Sequence, residues 1–223
     1  MHRILVITAV EAERTAFERG LPEESRKACS VVAGGVGAAA AAAATAATLV
    51  RAQYDGAPYD VVVSAGIGGA FPHAAQLGDL LIAERIIAAD LGADTPEGFL
   101  SVDELGFGTT AYPAVPLAPM KLEAVRGDLL TVNMVSGDLL TVNTVTGTAE
   151  QAARLRARHP GAVGEAMEGY GVAVAAAHFG LPVAEVRAVS NLIGPRDRGA
   201  WRIGEALATL TAAAAAIVEG LVQ

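Results

Sequence analysis

The sequence predicts an α/β fold in which a sheet is covered by helices on both faces. Three observations carry that expectation. Short apolar runs recur along the chain: RILVITA (3–9), SVVA (30–33), DVVVSA (60–65), DLLIAERIIA (79–88) and VAEVRAV (183–189). Helix-like segments, 11–19, 37–52, 149–158, 165–179 and 203–222, lie between several of them. The runs are apolar nearly throughout, as strands are when both faces of their sheet are buried.

The composition narrows the class. At 223 residues the chain is long enough to bury a sizeable core, and no linker or composition shift divides it. Residues 1–223 are therefore read as a single domain. Hydrophobic residues make up 52% and aromatics 4%, so the core is built from Ala, Val, Leu and Ile. A formal net charge of −8 and a pI near 5.0 argue against a nucleic-acid partner, which needs a basic face. No stretch reaches the roughly 20 strongly apolar residues of a membrane span. The lone Cys29 permits no intrachain disulfide and points to a reducing, cytoplasmic compartment. His2, His73, His159 and His178 are scattered, so no metal site is expected.

Along the chain, MHRILVITAV (1–10) is too short for a signal peptide and reads as the first strand. AVEAERTAF (9–17) begins just past it and offers Glu11 and Glu13. After the second strand, GGVGAAA (34–40) contains Gly35-x-Gly37-x-x-Ala40, with Asp55 or Asp60 about 20 residues on, which fits a dinucleotide fingerprint. A nicotinamide-linked enzyme is thus one rival reading, although any tight strand-to-helix turn selects glycine. SAGIGGAF (64–71) follows the strongest strand, and Gly66 and Gly68 there would let backbone groups approach a ligand. Both glycine loops leave strand ends, where open α/β sheets bind ligands.

Residues 91–120, with several prolines and glycines plus Phe99, Phe107 and Tyr112, read as a binding or interface loop. GDLLTVNMVS (127–136) is followed at once by GDLLTVNTVT (137–146), a tandem duplication that suggests a hairpin turning at Ser136-Gly137-Asp138. In EAMEGYGVAVAAAHFG (165–180), helical spacing puts Glu168 on one stripe with Val172, Ala175 and Phe179. A carboxylate facing inward costs several kcal/mol unless it is partnered; the plainer alternative is a first-turn glutamate favoured by the helix dipole. VRAVSNLIGPRD (186–197) places Ser190-Asn191 just past a buried strand.

Two carboxylates and an amide at strand ends and helix starts suit cleavage of a glycosidic bond. One carboxylate activates water, the other faces the oxocarbenium-like cation, and the amide hydrogen-bonds the leaving group. The segments A-V-E-A-E (9–13), A-G-I-G-G (65–69), M-E-G-Y-G (167–171) and V-R-A-V-S-N (186–191) together resemble the nucleoside phosphorylase/nucleosidase superfamily. G-P-R-D-R (194–198) followed by Trp201 resembles the branch of it that hydrolyses futalosine in menaquinone biosynthesis. The likeness runs over nearly the whole chain, apart from one copy of the repeat.

That resemblance implies a three-layer α/β/α fold around a central mixed, twisted sheet, a nucleoside substrate and no cofactor. It implies that Glu13 activates the attacking water, that Met167 packs on the ribose, and that Glu168 binds its 2′- and 3′-hydroxyls. Arg187 and Ser190 support them, and Asn191 contacts the purine. It also implies a homo-oligomer, a dimer or higher, in which a partner's loop caps the site; segment 91–120 is the candidate cap. The related methylthioadenosine nucleosidases carry aspartate where this chain has Asn191. An amide donates to a 6-oxo group and accepts from N7–H, so Asn191 favours hypoxanthine. Segment 8–17 offers only Arg14 to a phosphate and loop 64–71 no arginine, which favours water as nucleophile over a phosphorylase. A nucleoside-binding protein without catalysis is the alternative from another class.

Overall fold

The computed structural model describes residues 2–117 and 132–221. In chain order the elements are β1 (Ile4–Thr8), α1 (Glu11–Gly20), α2 (Glu23–Arg26), β2 (Cys29–Ala33), α3 (Ala38–Tyr54), β3 (Val61–Ala70), β4 (Leu80–Ala88), β5 (Gly92–Thr95), β6 (Gly98–Ser101) and β7 (Ala111–Pro113). There follow β8 (Met134–Thr141), α4 (Ala149–Arg158), β9 (Ala162–Ala166), α5 (Gly169–His178), β10 (Val183–Leu192), a short 3-10 turn (Arg198–Ala200) and α6 (Ile203–Leu221).

Eight strands form one mixed sheet in the order β10-β4-β8-β9-β3-β1-β2, with β7 added to β4. β3 pairs in parallel with β1 through Val61–Ser64 and with β10 along most of its length. Its last residues, Gly69 and Ala70, then pair antiparallel with β9. The path β10-β4-β8-β9-β3 therefore closes on itself, and the end of β3 becomes the point where three strands meet.

Alternation along the strands assigns the two helical layers. Ile4, Val6, Val61 and Val63 face one side and pack with Phe17 of α1 and Leu210, Ala213 and Ile217 of α6. Leu5, Ile7 and Val62 face the other, against Ala41 and Leu49 of α3 and Val172, Ala173 and Ala176 of α5. Helix α6 has the length and apolar character of a span, with mean hydropathy 1.3. Its Ala206, Leu210, Ala213, Ala214, Ile217 and Val218 are instead buried in the core.

Several local expectations are corrected. Residues 64–70 do not leave the sheet as a loop: β3 runs through them. Glycines there serve close packing within the strand rather than a turn. The segment 165–179 is not one helix, because Glu165 and Ala166 end β9 and the helix starts at Gly169. Ser136-Gly137-Asp138 does not turn; it lies inside β8, which runs on in parallel with β4. The earlier part of the first repeat copy, 127–131, lies outside the described residues. Ser190 and Asn191 fall within β10 rather than past it. Segment 91–120 contains the β5–β6 hairpin and β7, while its last residues, 118–120, are outside the described ones.

Candidate active site

The junction at the end of β3 borders a cavity of about 320 Å³. Glu13, Gly68, Met167, Glu168, Ser190 and Asn191 all line it, together with Val10, Val36, Ile67, Glu165 and Trp201. Gly66 and Arg187 stand behind this wall. Glu11 does not join them: its carboxylate accepts from Arg14 on the exposed side of α1.

Glu13 is the third residue of α1, from where a glutamate can reach back to the helix's unsatisfied N–H groups. Its Oε2 accepts from the N–H of Ala9 at 2.8 Å and of Val10 at 3.2 Å, and its Oε1 from the N–H of Ile67 at 2.9 Å. Three backbone donors thus hold one buried carboxylate. Gly66 makes room for it, because a Cβ built there would stand 2.6 Å from Glu13 Oε1 and 2.8 Å from Arg187 Nη1. The glycine at 66 is a steric requirement of this site.

Glu168 occupies the N-cap position of α5 and is 5% exposed. Its Oε2 accepts from Arg187 Nη1 at 3.1 Å, and its Oε1 from the N–H of Gly37 at 3.1 Å. Gly37 has φ 92°, a conformation that favours glycine, so the glycine turn before α3 presents its backbone donor to this side chain. The fingerprint-like glycines thereby find a use that involves no dinucleotide. The first-turn dipole reading of Glu168 is incomplete as well, since a buried guanidinium partners it.

Arg187 and Glu185 alternate on β10 and share the α3–α5 side of the sheet. Glu185 Oε1 accepts from Arg187 Nε at 2.9 Å, and Ser64 Oγ accepts from Nη2 at 2.7 Å. Burial pushes the Glu185 carboxyl up, with Arg187 opposing. Sequence reasoning passed over Glu185; the signal available was a Glu-x-Arg pair in an otherwise apolar strand.

Register slips between Val189 and Asn191, which makes Ser190 the extra residue of a β-bulge in β10. Bulges re-aim side chains next to functional sites. Here Ser190 Oγ donates to Asn191 Oδ1 at 2.9 Å. The same hydroxyl lies 3.2 Å from the Gly68 carbonyl; with its one proton given to the nearer amide oxygen, the amide keeps N–H groups to offer to a ligand. Gly69, beside it, gives the amide space: a Cβ there would lie 3.0 Å from Asn191 Nδ2.

Glu165 was likewise missed. Thr146 donates to it twice, from N–H to Oε1 at 2.9 Å and from Oγ1 to Oε2 at 2.6 Å. Burial raises its pKa, and these two bonds pull the other way. The pair ties β9 to the 142–147 connection, whose Val142 and Val145 line the cavity. A smaller recess of about 130 Å³ adjoins it past Asn191 and Trp201, bordered by Arg196 and Asp197.

The cavity lining among the described residues contains neither arginine nor lysine. Arg14 is engaged by Glu11 and Glu18, and Arg187 by Glu168 and Glu185. A wall with three carboxylates (Glu13, Glu165 and Glu168), an amide and a methionine, and no arginine or lysine among its described residues, suits a neutral sugar that turns cationic as it reacts.

Comparison with known proteins finds relatives in both sequence and fold. A family model described as the phosphorylase superfamily matches residues 8–223. A futalosine hydrolase of Streptomyces coelicolor is 54% identical, over 95% of this chain and 92% of its own. A futalosine hydrolase of Acidothermus cellulolyticus is 45% identical, over 96% and 89%. Among solved structures, a futalosine hydrolase mutant of Helicobacter pylori superposes with TM-score 0.74 at 14% identity, over 98% of this chain and 99% of that one. A methylthioadenosine/S-adenosylhomocysteine nucleosidase of S. pneumoniae, with a transition-state inhibitor, superposes with TM-score 0.73 at 20% identity, over 98% and 99%. At such identities the structural likeness speaks for the fold alone.

Proposed function

This chain belongs to the phosphorylase superfamily, and from that membership we propose that it hydrolyses the N-ribosyl bond of futalosine, releasing hypoxanthine. The observation that carries the reading is the cavity in which Glu13, Glu168 and Asn191 meet, with no arginine or lysine among the described residues that line it. Relatives at 54% and 45% identity over nearly the full chain, both futalosine hydrolases, support the substrate.

In this mechanism futalosine lies with its purine at Asn191 and its ribose over Met167 and Glu168. Glu168 accepts hydrogen bonds from the 2′- and 3′-hydroxyls and stands opposite the cation that develops as the glycosidic bond stretches. The Asn191 amide donates to O6, and its oxygen accepts from N7–H once the departing base has taken up a proton from solvent at N7, which stabilises the base as it leaves. Glu13 takes a proton from the attacking water, a role that its three backbone donors position it to play. Ser190 orients the amide. Gly66 and Gly68 admit the carboxylate and the ligand. The steps use protein groups and water, with no cofactor and no metal.

Residues 1–223 act in this reading as one nucleosidase domain, in the cytoplasm, as a homo-oligomer. Segment 91–120 would cap a neighbouring subunit's site; Phe107 within it is 83% exposed, which supports an interface there.

The deciding experiment is chromatography of the products formed from futalosine, inosine and methylthioadenosine, with and without phosphate. Release of hypoxanthine from futalosine at a rate independent of phosphate is expected. A phosphate requirement would make the protein a phosphorylase, and an absence of turnover on all three would make it a binding protein.

A further inference from the structure

Glu185 has no part in the mechanism above, although it is 1% exposed in the middle of the molecule. Its Oε1 lies 2.9 Å from both Nε and Nη2 of Arg187. Its Oε2 has no hydrogen-bond partner among the described residues. The carboxyl is pressed against the start of α5, where a Cβ on Gly169 would come within 2.1 Å of Oε2. Gly169 directly follows Glu168. One buried guanidinium therefore holds two carboxylates: Glu168, which lines the cavity, and Glu185, which does not.

A lone Arg187–Glu168 pair would be close to neutral and would offer little field to a cation. With Glu185 kept ionised by Arg187 at 2.9 Å, against the burial that pushes its carboxyl up, the three groups carry one net negative charge. Burying a surplus carboxylate is costly for a purely structural ion pair. It is suited to a site that must stabilise a transient positive charge. We infer that Glu185 is a positioning residue: it holds Arg187 and balances its charge, so that the charge of Glu168 is left for the ribosyl cation. This rests on the reading that the cavity cleaves an N-ribosyl bond. Besides Arg187, the ionisable groups gathered at this guanidinium are Glu168 at the start of α5 and Glu13 on α1.

The test compares two inhibitors of nearly one shape. One is a hypoxanthine iminoribitol, protonated on its ring nitrogen; the other is carbocyclic inosine, which is neutral. In Glu185→Gln, affinity for the cationic compound should fall about tenfold or more, while that for the neutral one changes by less than about twofold. Turnover should fall through kcat with KM little altered. The acid limb of kcat/KM should move to lower pH, because the remaining carboxylates then ionise beside one negative charge fewer. Ser64→Ala loosens the same guanidinium without changing charge, and should leave the preference for the cation in place. The double variant Glu185→Gln/Arg187→Gln removes a charge of each sign; it should keep that preference, and it serves as the test should the single variant not fold. Equal loss of both inhibitors in Glu185→Gln, no loss of either, or loss of the preference in the double variant would overturn the inference. A wild-type protein that does not cleave futalosine defeats the functional reading instead, which keeps the two failures apart.

Discussion

Gly66 and Glu13 approach so closely that a methyl group on the first would stand 2.6 Å from Oε1 of the second. The same methyl would lie 2.8 Å from Arg187 Nη1, so neither neighbour can move aside without disturbing the other. Gly66→Ala should therefore cost about 1–3 kcal/mol of stability by overpacking. It should also lower kcat on the order of 10²-fold, since a misplacement near 1 Å suffices for that. Wild-type kcat in a folded Gly66→Ala protein would show that the placement of Glu13 is not critical.

Glu13→Gln keeps the size of the side chain but turns one of its two acceptor oxygens into an NH2 donor, which then faces either the N–H of Ile67 or those of Ala9 and Val10. Substrate binding should persist while turnover falls about 10²–10⁴-fold, the usual worth of a general base. Rapid-quench measurement of hypoxanthine release, beside a binding titration, separates the two. Near-normal turnover in a well-folded variant rules Glu13 out as the base.

Glu168→Gln removes the charge opposite the ribosyl cation and weakens the contact to the 2′-hydroxyl. kcat/KM should drop for both ribo and 2′-deoxy substrates, and the deoxy substrate should be penalised less. Because Arg187 loses one of its two buried carboxylates, stability should fall too, by up to about 3–5 kcal/mol. Equal losses on the two substrates would mean that Glu168 does not read the 2′-hydroxyl.

Asn191→Asp preserves shape while replacing the donor that faces O6. Activity on futalosine should decline and the 6-amino analogue should gain in relative terms, by less than the roughly 10⁴–10⁵ that fully buried unpaired groups can enforce. Asn191 is only half-buried, so water softens the discrimination. The ratio of kcat/KM for the two bases in each protein is the measurement, and an unchanged ratio places base selection elsewhere.

Cys29, on the edge strand β2, has its thiol pushed up from 9.0 to about 12, first by burial and then by the nearby charge of Glu18. A folded-state pKa above the unfolded one gives stability that is complete below pH 9 and lost as pH rises toward 12. Native protein at pH 8 should resist a thiol-directed reagent and react in denaturant. The alkaline fall in stability should be shallower in Cys29→Ala. Rapid labelling of the native thiol would contradict its burial.

The amino-acid order by itself determined the layers of this protein. Apolar runs at 3–9, 60–63 and 183–189, separated by helical segments, suffice for an α/β sheet covered on both faces, because burial on two faces is a property of each run alone. It also pointed to Glu13, Glu168 and Asn191, which stand in short motifs at element boundaries. Tertiary structure decided what those residues touch. The closure of β3 onto β9 and β10 turned an expected loop at 64–70 into the strand that brings Glu13 and Arg187 together. The bulge at Ser190 aimed the Asn191 amide into the cavity, and no local pattern marks a one-residue slip in register. Within the duplicated decamers, a continuous β8 prevailed over the expected hairpin, because pairing with β4 and β9 outweighs the turn tendency of Ser136-Gly137-Asp138. Glu185 shows the limit most plainly: a carboxylate in an apolar strand is conspicuous in the sequence, but its partner Arg187, its neighbour Gly169 and its link to Glu168 depend on three elements converging. The energy of a buried charge is set by such distant partners, and only the folded chain specifies them.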